Sequence, residues 1–287
     1  MRLSATSSPW ISFPTIFFRS ALPSRTLRSL SAGRSFRKKF DFYKESASIL
    51  SSDFEKLVRD GYLPKKKPDK YPLSYVSGKK WYERLKKSTA TPDGEHWYTY
   101  YHLGVVAYQL KLVDEAKAHF ERSNSLCENA WSTRNLALLS LYSKDTKTAA
   151  DKMTRAIALC PDCQNLYPDA MKCYLADKQY ESAVSCFDNA SKNVQNRGRM
   201  QLLCAVALIS LGEYGRARSY VHPEFKMDDM REGEISLSHV WEDLYCAILR
   251  EKHPEMSQKE LISLQKEIYP LPRHLDFRMH DEDEQGL

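Results

Sequence analysis

Cys160-Pro161-Asp162-Cys163 is the string in this sequence best suited to chemistry. The C-x-x-C spacing can set two thiolates on one zinc ion or close a redox disulfide. A zinc site would need a second C-x-x-C or an H-x3-H pair, and a redox motif would sit beside a βαβ pattern. Neither accompanies it. The seven cysteines are an odd number with no convincing secretory signal ahead of them, which argues for reduced thiols. Cys127, Cys173, Cys186, Cys204 and Cys246 fall within or at the ends of expected helices and read as small buried hydrophobes.

The other reactive side chains are scattered. His96, His102, His119, His222 and His239 form no H-E-x-x-H spacing, and His102 reads as a packed or groove histidine rather than a base. No G-x-S-x-G, P-loop or G-x-G-x-x-G string occurs. Asp228, Asp229, Glu232 and Glu234 read as loop caps, with Arg231 joining Glu232 and Glu234 in an ion-pair network. The expectation is a chain without catalysis, cofactor or metal.

Composition narrows the class. Ten glycines in 287 residues are too few for a nucleotide-binding enzyme built on several glycine loops. The net charge is +6, but residues 1–40 carry eight basic side chains and no acid, so residues 41–287 sum to −2. A phosphate-backbone footprint is therefore not expected, nor is a nucleic-acid partner. No run approaches about 18 apolar residues, so no membrane-spanning helix is expected.

The elements that would position these residues are helices. Met1–Phe40 is Arg-rich, Ser-rich and acid-poor, the composition of a transit peptide, a disordered tail or upstream sequence of a larger protein. Residues 41–61 fit one helix, with Gly61 at its stop position. Pro64 to Ser77, with Lys65, Lys66, Lys67, Pro68 and Pro72, reads as a solvated linker. Lys79–Lys87 follows as a short helix presenting Trp81, Tyr82 and Leu85.

From Trp97 the sequence repeats. Ala116, Ala149, Ala183 and Ala217 are separated by 33, 34 and 34 residues. Phe120, Met153, Phe187 and Val221 follow each alanine by four, and Ser123, Ala156 and Ala190 by seven. Residues i, i+4 and i+7 share a helix face, so the small ones mark close contacts and the large one fills the gap. Leu103 with Gly104, Leu136 with Ala137, Ala170 with Met171 and Cys204 with Ala205 hold the same phase in the first helices. This pattern, over Trp97 to about Lys226, resembles a tetratricopeptide repeat array. The resemblance implies an all-α fold: an α-solenoid of tetratricopeptide-type helix hairpins, right-handed, with four repeats over residues 97–226. Only the second repeat has its closing proline, Pro161, and the fourth loses the pattern after Val221-His222-Pro223.

Beyond the repeats, Ser236–Arg250 carries Leu237, Val240, Trp241, Leu244, Tyr245, Ile248 and Leu249 on one stripe. It is the expected capping helix. Ser257–Ile268 is a further helix, stopped by Pro270, and residues 281–287 are an acidic tail. The strings Trp131-Ser132-Thr133-Arg134-Asn135-Leu136-Ala137, Arg231-Glu232-Gly233-Glu234-Ile235-Ser236-Leu237, Trp241 and Leu275-Asp276-Phe277-Arg278-Met279 carry a second resemblance. They are similar to the C-terminal tail of a family of large multidomain proteins with a carbohydrate-active-enzyme-like N-terminal region. That resemblance implies a repeat tail without its catalytic part.

Two functions are open at this level: a protein-interaction scaffold, or the non-catalytic tail of a larger carbohydrate-active enzyme. In a tetratricopeptide array the first helix of each pair lines the concave groove. Counting back 15, 11 and 8 residues from the alanines gives Tyr101, Val105 and Tyr108, then Arg134, Leu138 and Leu141, Pro168, Lys172 and Leu175, and Leu202, Val206 and Ile209. The groove set is Tyr101, Val105, Tyr108, Arg134, Asn135, Leu138 and Lys172. It would take a protein or peptide partner with apolar side chains and one or two acids, not a C-terminal carboxylate. A cytoplasmic location is expected, or a mitochondrial one through residues 1–40.

Overall fold

The computed structural model describes residues 44–69, 72, 75–226 and 236–276, without the side chains of residues 44–51. The basic segment 1–40, the Asp228–Glu234 carboxylates with Arg231, Phe277–Met279 and the acidic tail lie outside the described residues. Among the described residues the chain is all-helical, with thirteen α-helices, one 3-10 turn and no strand. It divides into two compact units, one ending at Cys163 and one continuing from Gln164.

In the first unit, α1 (Lys44–Asp60) ends at Gly61, whose φ of +88° reverses the chain while its N–H bonds the Leu57 carbonyl. An irregular strap, described at residues 61–69, 72 and 75–77, leads to α2 (Lys79–Ser88). Two helix pairs follow: α3 (Trp97–Gln109) with α4 (Val113–Leu126), and α5 (Ala130–Tyr142) with α6 (Thr146–Leu159). Helix α4 also packs on α5, and α2 on α3. Gly104 lets α3 and α4 approach, because a Cβ there would meet the Phe120 ring at 2.5 Å.

In the second unit, α7 (Tyr167–Ala176) pairs with α8 (Tyr180–Asn189), followed by the single turn α9 (Lys192–Gln195). Helix α10 (Gly198–Ser210) packs on α7, α8 and the short α11 (Tyr214–Tyr220). Helix α12 (Ser236–Lys252) lies on α10 and α11 and buries Leu237, Val240, Trp241, Leu244, Tyr245 and Leu249. Helix α13 (Gln258–Ile268) packs on α12 and starts in a capping box between Ser257 and Glu260.

The turn inside each pair has one geometry. Lys111, Lys144, Lys178 and Gly212, at φ of 64°, 65°, 59° and 78°, take the left-handed region. The N–H of each bonds a carbonyl three residues back: Tyr108, Leu141, Leu175 and Ile209. The N–H of the next residue reaches five back, from Leu112 to Ala107, Asp145 to Ser140, Gln179 to Tyr174 and Glu213 to Leu208. These are Schellman closures of the first helix, spaced 33, 34 and 34 residues apart. Five residues after each comes Ala116, Ala149, Ala183 or Ala217, all fully buried. Phe120, Met153, Phe187 and Val221 are buried on the same face.

Candidate functional site

The first turns of α3 and α5 meet the strap. The Trp97 indole donates to the Lys66 carbonyl at 2.7 Å, and the Trp131 indole to the Pro68 carbonyl at 3.2 Å. His96 Nε2–H donates to the Leu63 carbonyl at 3.1 Å. The hydroxyls of Tyr75 and Tyr101 are 3.0 Å apart. Ring nitrogens at the starts of two helices thus hold carbonyls of an irregular segment. Donors that bind backbone rather than side chains fix the path of the chain without reading its sequence.

Charge closes the other side of the strap. Lys66 Nζ lies 2.5 Å from Asp53 on α1, and the Tyr98 hydroxyl donates to the same carboxylate at 2.9 Å. Burial beside that carboxylate pushes the Tyr98 phenol well up from its ordinary range. Leu63, Pro72 and Val76 are buried. The expectation of a solvated linker is therefore corrected in part: Lys65 and Lys67 are exposed, but Leu63 before them and Pro72 and Val76 after them enter the core.

Of the expected groove in the first unit, the strap meets Tyr101 through Tyr75. Tyr101 (3% exposed), Val105 (0%), Asn135 (1%) and Leu138 (1%) are buried, so they are not a free peptide-binding surface. Tyr108 and Arg134 remain half-buried. Arg134 donates to Asn135 Oδ1 at 3.2 Å, while Asn135 Nδ2 meets no acceptor among the described residues. The indole pair was missed by counting back from the alanines. Its signal was present: Trp97 and Trp131 lie 34 residues apart, one repeat, at the first turns of α3 and α5.

In the second unit, the equivalent positions differ. Lys172 and Leu175 on α7, and Val206 and Ile209 on α10, are each half-buried, while Leu202 is buried. The two helices pack on one another, which sets these four side chains at matching places one repeat apart. Lys172 Nζ lies 4.0 Å from Asp169 Oδ1. Helix α12, packed on α10 and α11, leaves Val206 and Ile209 partly accessible.

No family model matches the chain, and no curated protein matches it. Its function is accordingly read from the geometry alone.

The remaining reactive groups are held structurally, with one exception. Tyr82 on α2 donates its hydroxyl to Glu115 at 2.5 Å and lies 3.0 Å from His119 Nε2, joining α2 to α4. His102 is fully buried, ringed by Phe54, Tyr75, Tyr98 and Tyr101, with neither ring nitrogen hydrogen-bonded. Burial, with Lys66 and His96 nearby, lowers its pKa to about 3, so it is a neutral core histidine. Cys173, Cys186, Cys204 and Cys246 are buried and not disulfide-bonded. The exception is the C-x-x-C pair. Cys160 and Cys163 form a disulfide, which corrects the expectation of wholly reduced thiols. The turn from Cys163 N–H to the Cys160 carbonyl draws the two Cα atoms to 5.4 Å, inside the range a disulfide spans.

Proposed function

We propose that this chain is a non-catalytic interaction scaffold built from tetratricopeptide-type repeats, and that it takes a protein or peptide partner on α7 and α10. The observation that carries the reading is the Schellman turn repeated in register at Lys111, Lys144, Lys178 and Gly212, each followed five residues later by a buried alanine. Units that recur at a fixed spacing present equivalent positions of successive helices side by side, which is how helical repeats build extended binding faces. On α3 the strap's Tyr75 meets Tyr101, and Val105, Asn135 and Leu138 are buried, while Tyr108 and Arg134 stay half-buried. On α7 and α10 the half-buried Leu175, Val206 and Ile209 offer apolar area, and Lys172 beside them suits an acid on the partner.

The proposal is tested with Lys172→Glu and Ile209→Lys in cells, by quantitative co-purification. Each is expected to reduce recovery of the same partner at least tenfold with the helical circular dichroism unchanged, since loss of one central contact costs about 1–2 kcal/mol or more. Undiminished recovery from both folded variants would overturn the assignment of this face.

A further inference from the structure

Seven cysteines are divided into three groups by their surroundings: four buried thiols, half-buried Cys127 and a bonded pair. Cys186, Cys204 and Cys246 are buried thiols pushed up to about 12, 12 and 11 by loss of solvent, and Cys173 is fully buried. Such thiols carry almost no thiolate near neutrality and cannot be reached by a reagent. Cys127 is half-buried and has no cysteine partner. Cys160 and Cys163 are both half-buried and bonded to one another. Cys160 is the C-cap of α6, its N–H bonding the Ala156 and Ile157 carbonyls, and Pro161 and Asp162 between the two cysteines are exposed. The bridge closes a ring of only four residues, so little loop entropy opposes opening it or favours keeping it.

We propose that Cys160 and Cys163 are a reversible dithiol–disulfide couple, open to exchange with small thiols while the rest of the protein stays folded. The chemistry balances with glutathione as the co-reactant. A glutathione thiolate attacks Cys160 Sγ, the Cys160–Cys163 bond breaks, and its electron pair leaves on Cys163 Sγ, which takes a proton. Cys163 is the better first leaving group, because Cys160 sits at the negative end of α6, where a thiolate is disfavoured. A second glutathione thiolate attacks the glutathione sulfur of the mixed disulfide. Cys160 then leaves as a thiolate and is protonated, and one oxidised glutathione is released. Two thiols are gained by the protein and two are consumed.

The test is a titration of the full chain in native buffer across glutathione ratios, with rapid alkylation of the folded chain in the same buffer and peptide mass measurement. The peptide holding Cys160 and Cys163 should pass from bridged to doubly alkylated in one two-electron step, while Cys173, Cys186, Cys204 and Cys246 stay unlabelled. Cys163→Ser lacks the resolving thiol, so in the oxidising buffers Cys160 should accumulate as a glutathione adduct that the wild type does not retain. A bridge that opens only after denaturation would overturn the proposal. So would a pair alkylated at both positions in the most oxidising buffer, or a Cys163→Ser chain that gains no adduct at Cys160.

Discussion

His102 lies on α3 among four aromatic rings, and both ring nitrogens forgo hydrogen bonds they would make in water. An unsatisfied buried polar group costs about 1–3 kcal/mol, so His102→Phe should raise stability by that order in a urea titration at neutral pH. Its folded pKa of about 3 is below the unfolded value near 6.5, so the unfolded chain binds the proton more readily. This contribution to stability is whole above pH 6.5 and drains away as pH falls toward 3, at about 1.4 kcal/mol per unit. His102→Phe should remove that slope, and an equal slope in both proteins would show that another group sets it. Tyr101 was expected in a groove and is instead buried against Tyr75. Tyr101→Ala should therefore act as a core truncation costing about 3–5 kcal/mol, seen as a large shift in the same titration. Burial of His102 was legible from its place beside Leu103. That of Tyr101 was not, because the covering residue Tyr75 lies 26 positions earlier in a stretch that reads as linker.

At the scale of elements, the first-helix turns place three lysines and one glycine in the same left-handed conformation. A side chain there costs about 1 kcal/mol, and glycine avoids it while adding freedom to the unfolded chain. Lys178→Gly should leave stability unchanged or raise it by a few tenths of a kcal/mol, despite glycine's poor helix propensity. Gly212→Ala should lower it by about 1 kcal/mol, although an added Cβ meets nothing within 4 Å. Paired thermal melts would check both; a stabilising Gly212→Ala would mean that these turns are not equivalent. The alanine register announced the turns because buried small residues recur with them. The starts of α3 and α5 were legible too, from the tryptophans at their first turns. The strap was not, since its burial comes from indoles and a tyrosine contributed by helices far along the chain, and the sequence around it is lysine and proline.

For the whole molecule, the all-helical class and the repeat spacing could be read from residue types alone, because periodic small residues have one structural use. The exposure of the first-helix side chains could not. Counting back from the alanines treats every repeat alike, whereas Tyr101, Val105, Asn135 and Leu138 are buried and Lys172, Leu175, Val206 and Ile209 are half-buried. The surplus of basic residues sits in residues 1–40, so the proposed partner on α7 and α10 would be selected by local chemistry rather than net charge. The most direct measurement is a photo-crosslinking scan in cells, placing a photoreactive amino acid in turn at Tyr101, Asn135, Val206 and Ile209. The account predicts partner adducts from Val206 and Ile209 and none from Tyr101 or Asn135. Adducts from Tyr101 or Asn135 with none from Val206 or Ile209 would contradict it.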